Sequence, residues 1–169
     1  MAYTFKLISS YTAPSNVEQV VFSSIPSTYD DLCILCNGKD TGNTWVYFVK
    51  INDNESNGRL RRIEATNSSI GTDYVNTLMI VDGPIGSAAT SNQFGNSRLY
   101  FYNYAKTDRV KVWAGDATSL NDSSTSYYGS MANGWNSTSA ISSITLYIAS
   151  ENNRIATNSR FTLYGIKNT

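Results

Sequence analysis

Two cysteines separated by two residues are the first candidate for chemistry in this 169-residue chain. Cys33 and Cys36 have the C-x-x-C spacing of redox and zinc sites, in which a turn brings both sulfur atoms to one point. Here the pair lies within residues 32–36, an apolar run typical of a buried strand. Residues three apart in a strand face opposite sides and lie about 10 Å apart, too far for a disulfide or a shared metal. The pattern therefore predicts two buried structural thiols.

A second candidate is a lookalike of a calcium-binding loop at residues 53–64. The pattern D-x-[DN]-x-[DN]-G-x5-E is met at Asp53, Asn57 and Glu64, with Glu55 at the third ligand position. Strand-like sequences flank the segment, whereas such a loop is normally held between two helices. Three arginines inside it would also repel the ion. We therefore disfavour calcium, predict a hairpin turn in its place, and expect no metal or other cofactor.

Paired carboxylates give an enzyme alternative, because they can hydrolyse glycosidic bonds without histidine. Candidates occur at predicted strand ends or in loops, where aspartate commonly shapes turns: Asp30, Asp31, Asp82, Asp108, Asp116 and Asp122. Nothing in the sequence brings two of them together. We expect a protein that is not an enzyme, with a carboxylate glycan hydrolase as an alternative.

Tyrosines form the best candidate for an interaction surface. Strand alternation places Tyr100, Tyr102 and Tyr104 on one face, and weaker candidates follow at Tyr127, Tyr128 and Trp135. Tyrosine combines a large contact area with a polar tip, which suits protein interfaces and sugar-binding platforms. The alternative is a sheet face covered by neighbouring loops.

Absent residue types exclude several functions. The chain has no histidine, so it cannot assemble a Ser-His-Asp triad or a His-containing zinc site. With 13 basic and 13 acidic residues it is formally neutral, which argues against a nucleic acid partner. No apolar run is long enough to span a membrane, and the first residues lack the pattern of a signal peptide.

Alternation of apolar and polar residues predicts the elements that position these side chains. About ten strands are indicated, at residues 3–9, 17–23, 31–36, 45–51, 59–65, 74–81, 98–104, 109–114, 141–149 and 160–166. Residues 87–93 could form a turn of helix, and residues 119–139 suggest long loops around one irregular strand. We predict an all-β protein with almost no helix: a single antiparallel β-sandwich domain over residues 1–169, jelly-roll-like.

Several segments then resemble a family of small structural proteins of tailed-bacteriophage virions. They are F-S-S-I-P-S-T-Y-D-D-L at 22–32, residues 52–62, S-N-Q-F-G-N at 91–96 continuing to 104, A-I-S-S-I-T-L at 140–146 and F-T-L-Y-G-I at 161–166. They occur in the same order and cover nearly the whole chain. The resemblance implies a structural component of the particle and assigns no functional residues.

The resemblance narrows the expected function to contact within or from a virus particle. Our leading expectation is a capsid decoration or cement protein located in the virion. It would be a homotrimer that binds the major capsid protein on the outside of the head and stabilises the lattice. The alternative is a tail fibre or receptor-binding module that recognises host surface glycans through the tyrosines named above.

Overall fold

The computed structural model describes residues 3–42, 46–66, 69–75, 80–82, 93–120 and 126–168. These residues form twelve strands and no α-helix. The strands are β1 (Tyr3–Thr12), β2 (Gln19–Phe22), β3 (Asp31–Gly38), β4 (Val46–Ile51), β5 (Gly58–Thr66), β6 (Ile70–Val75), β7 (Ile80–Asp82), β8 (Gly95–Tyr102), β9 (Lys111–Leu120), β10 (Ser126–Trp135), β11 (Ile144–Tyr147) and β12 (Arg160–Asn168). A helix able to span a bilayer is absent from this part of the chain.

The strands form two antiparallel sheets. The wide sheet has eight strands in the order β1-β12-β3-β8-β9-β10-β5-β6, and the narrow sheet has four in the order β2-β11-β4-β7. Eight of the strands pair as a folded ribbon, β1 with β12, β2 with β11, β3 with β8 and β4 with β7. This nested pairing, split alternately between two sheets, is the jelly-roll arrangement. The predicted all-β sandwich and its jelly-roll character are confirmed.

Four additional strands widen one sheet of the jelly roll. β5 and β6 follow β4, β9 and β10 follow β8, and together they continue the wide sheet beyond β8. The ladder from β8 to β6 is antiparallel throughout. The wide sheet therefore offers an outer surface about twice as broad as that of a four-stranded sheet.

The core lies between the two sheets. Side chains from both sheets join one buried cluster, as when Tyr47 of β4 meets Phe161 of β12 with ring centroids 5.4 Å apart. Phe101 and Trp113 stack inside the wide sheet at 5.0 Å. Because alternate residues of each strand face this cluster, the remaining positions of the wide sheet must face outward.

Most strand predictions are confirmed within a few residues, but two expectations change. Residues 74–81 do not form one strand, because β6 and β7 belong to different sheets and residues 76–79 lie outside the described part. The strand expected within residues 119–139 is not irregular, because β10 is regular and pairs with β9 along its whole length and with β5 over residues 127–135. The helical turn predicted at 87–93 falls almost wholly outside the described residues, as does Trp45.

The predicted hairpin at residues 53–64 is wrong as a pairing of β4 with β5, although a tight turn closes at its start, where the amides of Ile51 and Asn54 each donate to the other's carbonyl at 2.9 Å. β4 pairs with β11 and β7, whereas β5 pairs with β10 and β6, so the segment between them crosses from the narrow to the wide sheet. Asn52, Asp53 and Asn57 adopt left-handed backbone conformations with φ of 51°, 61° and 63°. Asn and Asp tolerate this region better than most residues, which explains the turn-like composition that suggested a hairpin.

Candidate functional site

The outer surface of the wide sheet, called the wide face below, concentrates the exposed apolar side chains of the protein. Of the twelve large hydrophobic side chains that are exposed among the described residues, ten belong to it by strand alternation. They are Phe5, Leu7, Leu35, Ile63, Ile70, Tyr74, Tyr102, Val112, Leu120 and Tyr128. Concentration of exposed apolar side chains on one surface is characteristic of interaction sites.

Two tyrosines of β8 form an ordered pair on the wide face. The rings of Tyr100 and Tyr102 lie 4.7 Å apart between centroids at an interplanar angle of 45°. The hydroxyl of Tyr100 donates to Oδ2 of Asp31 at 2.9 Å, which fixes the orientation of its ring. Tyr102 remains 43% exposed and Tyr128 50% exposed, so both rings are open to a partner.

The wide face carries more positive than negative charge although the whole chain is neutral. Its exposed charged side chains are Arg59, Arg61, Arg98 and Arg160. Arg98 pairs with Asp116 on β9 through an Nη2 to Oδ1 distance of 2.7 Å, and this pair is largely solvent-exposed. Among the described residues of the wide face, the other carboxylate is the buried Asp31. The face therefore favours an anionic or neutral partner.

Three of the six predicted contact residues are not on the wide face. Tyr104 is fully buried, because β8 ends at Tyr102 and the left-handed Asn103, with φ of 50°, breaks the alternation. The Tyr104 hydroxyl donates to the carbonyl of Pro26, and burial raises the pKa of Tyr104. Trp135 lies in the core because it occupies an inward position of the regular strand β10.

Tyr127 also points away from the wide face. It lies opposite Thr66 and Ser119 on the inward side of β10, and its hydroxyl donates to Oε2 of Glu64 at 3.3 Å. The predicted surface is therefore wrong for Tyr104, Tyr127 and Trp135, whereas Tyr100, Tyr102 and Tyr128 are on the wide face.

Cys33 and Cys36 are both free and buried, as the strand pattern predicts. Cys36 faces the core, and Cys33 faces the wide side between Tyr100 and Tyr164 in the strand register. Burial raises the pKa of Cys33 to about 11 and that of Cys36 to about 12. Both thiols are protonated near neutral pH, and neither is activated as a nucleophile.

The calcium lookalike is not assembled as a site. Glu64 lies on β5 and pairs with Arg62 at 3.1 Å, whereas Glu55 pairs with Lys50 at 3.2 Å. Asp53 and Asn57 are exposed in the crossing segment. Within the described ranges no group of three or more acidic or cysteine side chains could hold a metal ion.

The buried Asp31 is a hub of structural hydrogen bonds. It accepts hydrogen bonds from the Tyr100 hydroxyl, from the Asn103 amide at 2.7 Å and from Nδ2 of Asn168 at 3.0 Å. Its neighbour Asp30 accepts from the Asn168 amide at 2.8 Å. These bonds join the start of β3 to the ends of β8 and β12. Of the other candidates, Asp108 pairs with Arg109, while Asp122 and the side chain of Asp82 lie outside the described part.

Lys111 is a buried cation with a structural explanation. Its Nζ donates to the carbonyls of Lys106, Arg109 and Thr138 at 2.5, 2.8 and 3.1 Å. Burial lowers the pKa of Lys111. Three carbonyl acceptors saturate the ammonium group, which therefore fastens the loop before β9 to the segment after β10.

The outer surface of the narrow sheet also carries aromatic rings, but other side chains of the protein cover them. Tyr147 packs on Phe48 at 5.6 Å between centroids, and Nζ of Lys50 lies 4.8 Å above the Tyr147 ring. The Tyr147 hydroxyl donates to Oε2 of Glu55 at 2.8 Å. This bond and the nearby Lys50 lower the pKa of Glu55. We call these four residues the narrow-face cluster.

Sequence reasoning missed the arginines of the wide face and the Tyr74 ring beside Arg61. Arg98 alternates with Tyr100 and Tyr102 along β8, and Arg61 lies opposite Tyr74 on β6. The alternation was visible, but the cross-strand neighbours that unite β5, β6, β8 and β9 were not. Comparison with protein-family models, with curated proteins and with solved structures found no match.

Proposed function

We propose that this chain is a structural protein of a tailed-bacteriophage particle and that it acts by contact through the wide face. The observation that carries the proposal is the concentration of ten exposed large hydrophobic side chains on that one surface. Burial of these side chains against a partner can drive binding without a cofactor or a covalent step. The proposed location in a phage particle rests on the sequence resemblance, and the proposed action by contact rests on the wide face.

The leading form of the proposal is a capsid decoration protein. Such a protein binds only the assembled lattice of the major capsid protein and stabilises it by mass action. We extend the proposal to self-association, because β1 leaves an edge of the wide sheet unpaired in the described part of the chain, and we keep the homotrimer expected from the sequence as its form. Light scattering that gives a monomer in solution, together with isolated single copies in images of the particle, would contradict the trimer.

The experiment is to image phage particles and to compare heads with and without this protein. We expect density for the jelly roll on the outside of the head, and we expect depleted heads to open at a lower temperature. Val112 on the wide face and Val21 on the narrow sheet provide a matched pair, since each is 48% exposed on a strand. Val112→Asp should abolish attachment and Val21→Asp should not. Attachment of both variants at wild-type occupancy would refute the wide face as the contact surface.

A second candidate function is a receptor-binding module of the tail. The observation that favours it is a row of three adjoining depressions on the wide face, with volumes of 450, 580 and 610 Å³. Tyrosine and arginine side chains line them, which suits a chain-like ligand better than a flat protein surface. Density at the tail instead of the head would select this candidate. No described residue favours the third alternative, the carboxylate glycan hydrolase, over binding.

A further inference from the structure

A trough crosses the wide face at right angles to the strands. One cross-strand row defines it, Tyr100 on β8, Ala114 on β9, Ala132 on β10, Arg61 on β5 and Tyr74 on β6, each opposite the next in the register. Five neighbouring strands span about 19 Å between the first and the last. We call this row and the depressions beside it the cross-strand trough.

Small side chains line the middle of the trough, and larger aromatic side chains stand at its two ends. Alanines occupy the two middle positions, and Ser130 lies beside them in the next row, so a ligand can approach the sheet closely there. At one end the Tyr100 and Tyr102 rings form a fixed platform. At the other end Cζ of Arg61 lies 3.3 Å from the centroid of the Tyr74 ring. Two aromatic surfaces thus flank a shallow channel between them.

Arginines line the trough along its length. Arg61 lies at one end, Arg98 borders two of the depressions, and Arg160 lines the depression beyond β8. Asp116 neutralises Arg98 in part through an exposed pair, which contributes little and can open to a competing anion. Planar guanidinium groups bind carboxylates through two parallel hydrogen bonds. These guanidinium groups can pair with a ligand that carries several carboxylates.

Other polymers fit this arrangement less well. An extended peptide normally binds by pairing its backbone with a free sheet edge, but the backbone groups beneath the trough already pair between strands. A single nucleic acid strand is held mainly by phosphate contacts to many basic side chains, whereas this face offers four exposed arginines, one of them paired with Asp116. Sugar rings present apolar faces that stack on tyrosine and hydroxyl groups that bond polar side chains. An acidic polysaccharide combines ring stacking with carboxylates that can pair with the arginines.

We propose that the cross-strand trough binds an extended acidic polysaccharide of the polyuronate class. The inference rests on the proposed contact function of the wide face and specifies the chemistry of one occupant. A sugar ring stacks on Tyr102, and carboxylates of the chain pair with Arg98 and with Arg61, whose guanidinium lies against the Tyr74 ring. Binding at the trough involves no bond cleavage.

The test is calorimetric titration of the isolated full-length protein with polygalacturonate, with neutral dextran of similar length and with polyglutamate. We expect polygalacturonate to bind, dextran to bind at least about tenfold more weakly, and affinity to fall as salt rises. Tyr102→Ala and Arg98→Gln should each weaken binding at least about fivefold. Val21→Ala on the narrow sheet is the control and should bind as the wild type does.

Three results would overturn the inference. They are absence of polygalacturonate binding, binding that survives both wide-face substitutions, and equal binding of polyglutamate, which would indicate charge alone. Particle attachment separates this failure from failure of the proposed function. If Val112→Asp detaches from the particle while polygalacturonate does not bind, the wide face contacts a virion protein and the polysaccharide inference is wrong. If polygalacturonate binds the trough but the protein is absent from particles, the virion function is wrong.

Discussion

The outer surfaces of the two sheets both carry aromatic rings, yet only one of them is open. On the narrow sheet, Lys50 and Glu55 cover Tyr147 and satisfy its hydroxyl. On the wide sheet, Tyr102 and Tyr128 stay exposed next to arginines whose charge is only partly balanced. The difference teaches that aromatic content alone does not mark a binding surface. What marks it is whether other side chains of the same protein already occupy the rings.

The largest expected effect tests the covered side of this comparison. Tyr147→Ala removes the ring that holds the narrow-face cluster, and we expect it to lower the free energy of unfolding by about 3 kcal/mol. Tyr102→Ala removes a half-exposed ring and should lower it by less than about 1 kcal/mol. Urea denaturation of both variants measures the difference. Equal losses would show that the two faces are covered alike.

A second prediction uses the pH dependence of the free energy of unfolding to test whether the wide face is closed to water at Cys33. The unfolded thiols ionise near 9.0, while burial raises the pKa of Cys33 to about 11 and that of Cys36 to about 12. The native state therefore keeps protons that the unfolded state loses. The stability that the thiols contribute is complete below pH 9 and is lost as pH rises toward 11 to 12.

Denaturation at pH 8 and pH 10.5 measures this loss. In Cys36→Ala the fall between the two pH values should be smaller than in the wild type by about 2 kcal/mol. Cys33→Ala should reduce the fall as well, because Cys33 is buried although its strand position faces the wide side. An unchanged fall in Cys33→Ala would mean that water reaches this position and that the open surface extends to β3.

The smallest expected effect concerns the exposed Arg98–Asp116 pair. Asp116→Asn should change the free energy of unfolding by no more than about 0.5 kcal/mol, because exposed ion pairs contribute little. It should raise affinity for polygalacturonate about twofold by freeing Arg98. The matched change on the narrow face, Glu55→Gln, should leave that affinity unchanged. Weaker polygalacturonate binding in Asp116→Asn would contradict the assignment of Arg98 to carboxylate binding.

The sequence predicts strands well where apolar residues alternate, as in β4 and β8. It fails for β10, whose glycine, serine, alanine and asparagine residues have low strand propensity. That strand forms because it pairs on both sides, with β9 and β5, which is tertiary information. The prediction for Tyr104 is wrong for a local reason, because the left-handed Asn103 reverses the direction in which the next side chain points.

The candidate site was less predictable than the fold. The net charge of the chain is zero, yet four exposed arginines from β5, β8 and β12 lie on one surface. These strands are far apart in the sequence and become neighbours or near neighbours only through the order of the wide sheet. Alternation tells which side a residue takes along its own strand, whereas the composition of a face depends on strand order and register.

Tyrosine nitration mapped by mass spectrometry tests the wide face as the contact surface most directly. In the free protein we expect Tyr74, Tyr102 and Tyr128 to react and the buried Tyr104 to resist. With the protein on the particle, or with polygalacturonate bound, these three tyrosines should be protected while the reactivity of Tyr147 stays the same. Unchanged nitration of all three tyrosines in both complexes would contradict the account.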